Sequence, residues 1–382
     1  MEIYLVGGAV RDLLLGRTVT DRDYLVDHAD HASFLGRYPT ARLVGKSFPV
    51  VILDGSEYAW PRGGSLERDL ELRDLTVNAM ALDEKGLLRA HPQALHDLQA
   101  KILRPCSPTS LTDDPVRVFR AARFAAQFPD FSPSPELLDQ MRSAAQQGLL
   151  AGHAAERVGR EVSKALCAPV PSRFFTLLAK ADCLLPWFEE LAACVGVPAG
   201  PPAYHDKDVF DHACEVMDRL AGDALLAWMA LAHDLGKATT PREEWPAHHG
   251  HDRTGVAPAR ELALRLRQPR VFMEAGMAAS AEHMLAGRYA ELRPGTKVDL
   301  LVRLEAKKLT ARMFRLAAAD KRQADEDTLR QARRDLRVIL KVRLPDDKKD
   351  LGEASGEMLR QLRCDALAAI QGVSKPCPII HT

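Results

Sequence analysis

Asp21 and Asp23 stand one residue apart in TVTDRDYLV, a run that otherwise reads as a β-strand. Alternate residues of a strand project to the same face, so the two carboxylates repel each other unless cations lie between them. Hard divalent cations take oxygen ligands of this kind. Two such ions about 4 Å apart activate an attacking hydroxyl and stabilise a departing pyrophosphate. Upstream, VGGAVRDLLLGR places Gly7 and Gly8 between a strand and a helix. Glycines there let a phosphate approach the backbone, and the helix N-terminus adds N–H donors. Arg11, on the first turn, adds a charged fork. Either stretch alone has a plain explanation, as a solvated edge strand or an ordinary turn; the two together point to a phosphate and metal site. Glu57 of SEYAW is a candidate third carboxylate.

Two further stretches suit a nucleotide. LRDLTVNAM supplies Arg73, Asp74 and Asn78, and DDPVRVFRAARF supplies Asp113, Asp114, Arg117, Arg120 and Arg123. Arginines three apart drift slowly around a helix and can form one basic ridge. Asp114 and Arg117, at i and i+3, offer acceptors and donors to a base edge. A second constellation lies in the other half of the chain. ALAHDLGKATTP holds His233, Asp234 and Lys237; HDKDVFDHACEVM holds His205 and His212. Adjacent His and Asp can ligate a divalent ion when a distant histidine joins them, and His212 is placed to do so. His249 and His251 in EEWPAHHGHDRTG, with His283 in AEHMLAG, can ligate a second ion, bind phosphate, or serve as loop and core imidazoles.

These residues need elements to carry them. Over residues 1 to about 104, short β-like runs (IYLVGG, DYLVD, ARLVG, FPVVILDG, EYAW) alternate with turns. Helical pattern is expected at 9–15 and in LTVNAMAL. After ILRPCSPTSLTDDP nearly every segment to about 335 reads as helix, with Thr112 or Asp113 as cap and Pro115 in the first turn. The Gly/Pro-rich stretch 194–208 is an expected boundary. Residues 343–356 read as loop before a last helix near 354–370. The first part reads as a small α/β or α+β domain, and the fold class expected for the chain is α+β.

Among 382 residues, 46% are hydrophobic and 27% charged, with no net charge, so any nucleic-acid surface must be a local patch. The basic helices at 260–270 and 330–343 are solvated faces or grips on backbone phosphates. No run of about 18 apolar residues suggests a membrane span, and the N-terminus lacks a signal peptide's pattern. Seven cysteines without a CxxC pair suit a reducing cytoplasm.

Taken together, YLVGGAVRDLLLGRTVTDRDYLV, VGKSFPVV, LRDLTVNAMALD and DDPVRVFRAARFAAQF resemble the bacterial class II tRNA nucleotidyltransferases, the CCA-adding enzymes. That resemblance implies a polymerase β-like nucleotidyltransferase head (1–104), an all-α neck and body (105–200) and a tail (336–382). It implies transfer of CMP and AMP from CTP and ATP onto the tRNA 3′ end with Mg2+. Asp21 and Asp23 match the metal-binding pair, Gly8 and Arg11 the triphosphate contacts, and Arg73, Arg117 and Arg120 the nucleotide contacts. Asp114 and Arg117 match the pair that reads the base in place of a template.

Between EYAW and LRDLTVNA the chain has only PRGGSLERDLE, with Leu72 where a second arginine is usual. Similar enzymes carry a longer loop there, and a shortened one is a trait of enzymes that add only the two C residues. CC addition is the alternative this departure leaves. His212 with HDLGK resembles the HD phosphohydrolase superfamily, an arrangement found at the C-terminal end of longer, multifunctional CCA enzymes. By that resemblance His212, His233, Asp234 and Asp320 form a metal site at 201–335, with a transition metal such as nickel. The implied activities are 2′,3′-cyclic phosphodiesterase, 2′-nucleotidase and phosphatase. A poly(A) polymerase and an HD hydrolase with a merely RNA-binding head are the rivals. A homo-oligomer is left open.

Overall fold

The structure, a computed structural model, describes residues 1–45, 49–202, 206–322, 326–350 and 352–371. His205 and the Lys46–Phe48 part of VGKSFPVV lie outside them. The chain forms two compact units, Met1–Ala165 with Arg173–Pro186, and Leu166–Ser172 with the residues from Trp187 onward.

A mixed sheet organises the first unit. Its strands are β1 (Glu2–Val6), β2 (Asp23–Asp27), β3 (Arg42–Val44), β4 (Val50–Leu53), β5 (Ser56–Ala59), β6 (Met80–Asp83) and β7 (Leu88–Ala90), in the order β3-β4-β5-β2-β1-β6-β7. Only β2 and β5 pair in parallel. Alternation along β2 assigns its faces. Leu25 packs with Tyr4, Val6, Leu66 and Leu70, the last two from helix α3 (Leu66–Glu71); Val26 packs with Phe34 of α2 (His31–Arg37) and Val51. Asp30 and Ser65 start these two helices by accepting hydrogen bonds from the backbone N–H groups of Ser33 and Arg68. Helix α1 (Gly8–Leu14) follows β1 directly.

The rest of this unit is helical apart from the short β8–β9 pair (Ile102–Leu103, Ser132–Pro133). Its helices are α4 (Ala94–Ala100), α5 (Ser110–Asp113), α6 (Val116–Gln127), α7 (Pro135–Gln146), α8 (Ala155–Leu166) and α9 (Ser172–Lys180). Three local expectations are corrected. LTVNAMAL is not a helix: Thr76–Asn78 makes one 3-10 turn and Met80–Asp83 is a strand held between β1 and β7. Its apolar run is that of a fully buried strand, which periodicity does not separate from a helix. Asp21 precedes β2 rather than lying in it. Thr112 and Asp113 belong to α5, and α6 starts after Pro115 without a side-chain cap.

Helices make up the described part of the second unit: α10 (Glu189–Cys194), α11 (Val209–Arg219), α12 (Ala224–Ala232), α13 (His251–Thr254), α14 (Val256–Arg265), α15 (Arg270–Gly287), α16 (Pro294–Ala306), α17 (Thr310–Asp320), α18 (Glu326–Lys341) and α19 (Glu353–Gln371). Helix α10, before the stretch 194–208, packs against α11 and the turn after α12. Helix α12, ALLAWMALA, is apolar all round and sits amid α11, α15 and α17. Its start is fixed by Asp223, which accepts from the N–H groups of Leu225 and Leu226. None of the described helices is long and apolar enough to cross a membrane. The six described cysteines are free.

Candidate active sites

In the first unit, strand register brings the acidic residues together. Asp23 lies opposite Glu57 in the parallel β2–β5 ladder and opposite Val6 on β1, one residue before Gly7. Burial raises the Asp23 pKa, and the charges of Asp21 and Glu57 raise it further. Among the described residues none of the three carboxylates forms an ion pair. Their oxygens do not close to within 4.8 Å as a set. Carboxylates that repel one another without ion-pair partners fit divalent cations.

Gly7 has φ +70°, and a Cβ there would meet Arg73 Nη1 at 2.8 Å. Both observations require glycine at the strand-to-helix turn. Arg73 donates to Asp69 Oδ2 at 3.0 Å and to the carbonyl of Asn78 at 3.3 Å. Asp69 also accepts from Arg62 at 2.8 Å. The short PRGGSLERDLE segment is thus folded and tied to Arg73 through one buried carboxylate.

The remaining arginines are engaged. Arg11 is buried, donates to Asn78 Oδ1 and to Asp12, and stacks on Phe128 with its guanidinium carbon 4.5 Å from the ring centre. Arg117 donates to the carbonyls of Leu72, Arg73 and Ser110. Arg120 pairs with Asp74 at 2.7 Å, and Arg123 with Glu161 in the interior. The expected ridge is therefore three guanidiniums with three different duties. Burial opposes the Asp74 charge, but Arg120 and Asn78 outweigh it and hold the carboxyl well below the usual range. Asp114 is bonded not to Arg117 but to Arg157 of α8, at 3.0 Å. Sequence reasoning passed over Arg157, Glu161 and Asp69. Only Asp69 carried a local signal, its i, i+4 spacing to Arg73.

The second unit assembles a denser site. Helix α11 supplies His212, the end of α12 His233 and Asp234, α13 His251, α15 His283 and the end of α17 Asp320. His212 Nε2 lies 2.8 Å from Asp320 Oδ1 and 3.7 Å from Asp234 Oδ2; His233 Nε2 lies 3.2 Å from Asp234 Oδ2. Lys237 Nζ reaches Asp234 Oδ2 at 2.6 Å and the Ala199 carbonyl at 2.7 Å. Two glycines permit the approach: a Cβ on Gly236 would stand 2.0 Å from the His251 carbonyl, and one on Gly255 2.4 Å from Ser280 Oγ. The site opens on a cavity of about 500 Å3, with Lys321, Arg322 and Met284 in its wall.

His249 is exposed and stands apart from this cluster. Its neighbour His248 is buried between Thr240 Oγ1 and the Pro198 carbonyl as a structural imidazole. Burial disfavours a charge on His233, but Asp234 and Asp320 outweigh it and push its pKa to about 10. His233 Nε2 is buried without a hydrogen-bond partner, as is Asp234 Oδ1. Orphaned buried polar atoms among imidazoles and carboxylates fit a divalent metal. His212, His233 and Asp234 form one such group, Asp234, His251 and His283 another.

A multifunctional CCA protein of Stenotrophomonas maltophilia (strain R551-3) is 38% identical to this chain over 407 residues, covering 97% of this chain and all of the relative. One from Methylococcus capsulatus (strain ATCC 33009 / NCIMB 11132 / Bath) is 37% identical over 419 residues, covering 98% and 96%. The chain belongs to the multifunctional CCA protein family. Family models agree in order along the chain: the poly A polymerase head domain at residues 3–53, the probable RNA and SrmB-binding site of polymerase A at 130–195, and the HD domain at 203–325. The fold is similar to that of the Thermotoga maritima CCA-adding enzyme complexed with tRNA, with a TM-score of 0.66 at 19% identity over 98% of this chain and 92% of that one. A CCA-adding enzyme complexed with CTP gives 0.67 at 19%, with the same coverage. The fold class expected for this multifunctional CCA family member, a mixed-sheet head before a helical body with an HD domain, is the one observed.

Proposed function

We propose that the chain adds C, C and A to the tRNA 3′ end from CTP and ATP without a nucleic-acid template, and that its HD domain hydrolyses phosphoesters. Full-length similarity to multifunctional CCA proteins supports this reading. The observation that carries it is the register that sets Asp23 beside Glu57 and one residue from the Gly7–Gly8 turn. In the reading, residues 1–104 are the head, 105–200 the neck and body, 201–335 the HD domain and 336–382 the tail.

The tRNA 3′-hydroxyl oxygen bonds the α-phosphorus as the bond to the β-phosphate bridging oxygen breaks, and pyrophosphate departs. Asp21 and Asp23 would hold Mg2+, with Glu57 beside them. The Gly7–Gly8 turn gives the triphosphate room, and Arg73, already at Gly7, neutralises it. Arg117 and Asp114 read the base, for which Asp114 exchanges its Arg157 partner. Arg11, Asn78, Asp74 and Arg120 form the polar support beneath the turn. In the HD domain His212, His233, Asp234 and Asp320 would hold a transition metal such as Ni2+, and Lys237 orients Asp234. Bound divalent ions supply activation of the attacking oxygen and neutralise charge on the phosphate. The substrates of this second site are 2′,3′-cyclic, 2′-phosphorylated and other phosphorylated ends, and the protein works in the cytoplasm.

Incubating tRNA that lacks its CCA end with labelled CTP and ATP, and sizing the products, tests the reading. Three added nucleotides ending in A support it. Arrest after two C residues favours the CC-adding reading, for which the folded Pro61–Leu72 segment speaks. Hydrolysis without extension favours an HD hydrolase with an RNA-binding head.

A further inference from the structure

The HD cavity carries positive charge beyond its ligand cluster. Helix α17 ends at Asp320, and the next two residues, Lys321 and Arg322, line the same cavity of about 500 Å3. Basic residues after a helix C-terminus ordinarily serve its free carbonyls. Here Arg219 of α11 does that work, donating to the Ala319 carbonyl at 3.0 Å. Arg322 holds φ +54°, in the left-handed region where glycine is the usual residue. Strained backbone of this kind gathers at functional sites. Its Nη2 lies 3.0 Å from Glu215 Oε2 and 3.9 Å from Asp206 Oδ1. Lys321 Nζ donates to the Gly287 carbonyl at the end of α15. A Cβ on Gly287 would stand 3.2 Å from Lys321 Cε, so glycine there leaves the lysine its room.

Both cations can take a further partner. Glu215 also pairs with Arg219 at 3.0 Å and with Lys207, so it is not stranded when Arg322 leaves it. The Arg322 pair is exposed, and such pairs are weak. Lys321 spends one N–H donor on Gly287 and keeps two. Lys237, the other Lys or Arg on the wall, is committed to Asp234 and the Ala199 carbonyl. The cavity size falls in the range of small-ligand sites, roughly 300–1,000 Å3. Met284, Pro201 and Pro246 give the wall apolar surface for a nucleoside.

In the reading above, His212, His233, Asp234 and Asp320 serve the phosphate under attack. A second anion in the cavity meets Lys321 and Arg322. An RNA end supplies one, the phosphodiester on the 5′ side of its last nucleotide, which a 2′,3′-cyclic mononucleotide lacks. We propose that Lys321 and Arg322 bind this phosphodiester, so that the HD site selects polynucleotide ends over mononucleotides. The inference rests on the reading of this site as a phosphoester hydrolase. Arg322 exchanges Glu215 for the phosphate, whose two free oxygens match the guanidinium fork, and Lys321 adds a point charge.

The test compares three substrates of the full-length protein: 2′,3′-cyclic CMP, the dinucleotide CpC with a 2′,3′-cyclic end, and the same dinucleotide with an uncharged methylphosphonate linkage. The charged dinucleotide is expected to have a KM roughly tenfold below the mononucleotide, the worth of one charge-assisted hydrogen bond. The methylphosphonate should lose that advantage with kcat little changed. Arg322→Ala should bring the KM ratio of dinucleotide to mononucleotide close to one, and Arg322→Lys should restore part of it. The wild-type comparison of linkages stands even if a variant fails to fold. Equal KM for the charged and neutral linkages overturns the proposal. So does a preference that neither Arg322→Ala nor Lys321→Ala lowers. Equal losses on mononucleotide and dinucleotide in Arg322→Ala also overturn it, because the arginine then serves the phosphate that is cleaved. No hydrolysis of any of the three by the wild type defeats the hydrolase reading of the HD site, a different failure.

Discussion

The two sites solve opposite problems. In the head, Asp21, Asp23 and Glu57 are exposed, their oxygens have not converged, and the nearby arginines are bonded to protein carboxylates and carbonyls. In the HD domain the candidate ligands other than Asp320 are buried, the rings of His233, His251 and His283 are held by backbone carbonyls, and two polar atoms already lack partners. In the proposed reading, nucleotide and cations complete the head site, at the cost of exchanging existing bonds such as Asp114–Arg157. The HD site is assembled by folding. A site that must accept two different nucleotides benefits from ligands still free to rearrange, whereas a hydrolase benefits from preorganisation.

Substitutions in the two sites should therefore fail differently. Asp234→Asn removes the carboxylate shared by both ligand sets, so phosphoester hydrolysis should fall by at least about 10³-fold while nucleotide addition continues; retained hydrolysis would remove Asp234 from the site. Gly236→Ala places a Cβ against the His251 carbonyl. It should cost about 1–3 kcal/mol of stability in the second unit, seen as a lower denaturant midpoint, with weakened metal retention.

Acid should act on the head through Asp74. Its carboxyl is held below the usual carboxylate range. Its stabilisation is present above about pH 4 and is lost as pH falls further, on the order of 2 kcal/mol. Asp74→Asn should flatten that part of the stability–pH curve. Metal uptake by the HD site should instead strengthen as pH rises towards the His233 value near 10, because the ion displaces a proton. An affinity independent of pH between 6 and 9 would refute this. The smallest effect is expected at Arg157→Ala. Its exposed pair with Asp114 contributes under about 1 kcal/mol, so stability should hardly move, while the ratio of CTP to ATP use shifts.

Much of this was legible in the chain because strand pairing and helix ends place residues by rule. DxD beside a Gly-Gly turn, and His-Asp at the end of an apolar helix, are local patterns. The partners of the arginines were not legible. Arg117, Arg120 and Arg123 look alike at a spacing of three, yet one binds carbonyls, one Asp74 and one Glu161, choices made, Ser110 apart, by residues 38 to 46 positions away. His249 drew the expectation, yet its neighbour His248 is the buried one, a choice that the turn makes. LTVNAMAL misled because a short buried strand and a helix share one apolar composition.

The central claim, two separate catalytic sites on one chain, is tested most directly by a crossed assay of Asp23→Ala. Extension of tRNA lacking its CCA end and hydrolysis of a 2′,3′-cyclic phosphate are measured on one preparation. The account predicts that extension is abolished and hydrolysis keeps its wild-type rate. Normal extension by this variant, or loss of both activities from a folded protein, would contradict it.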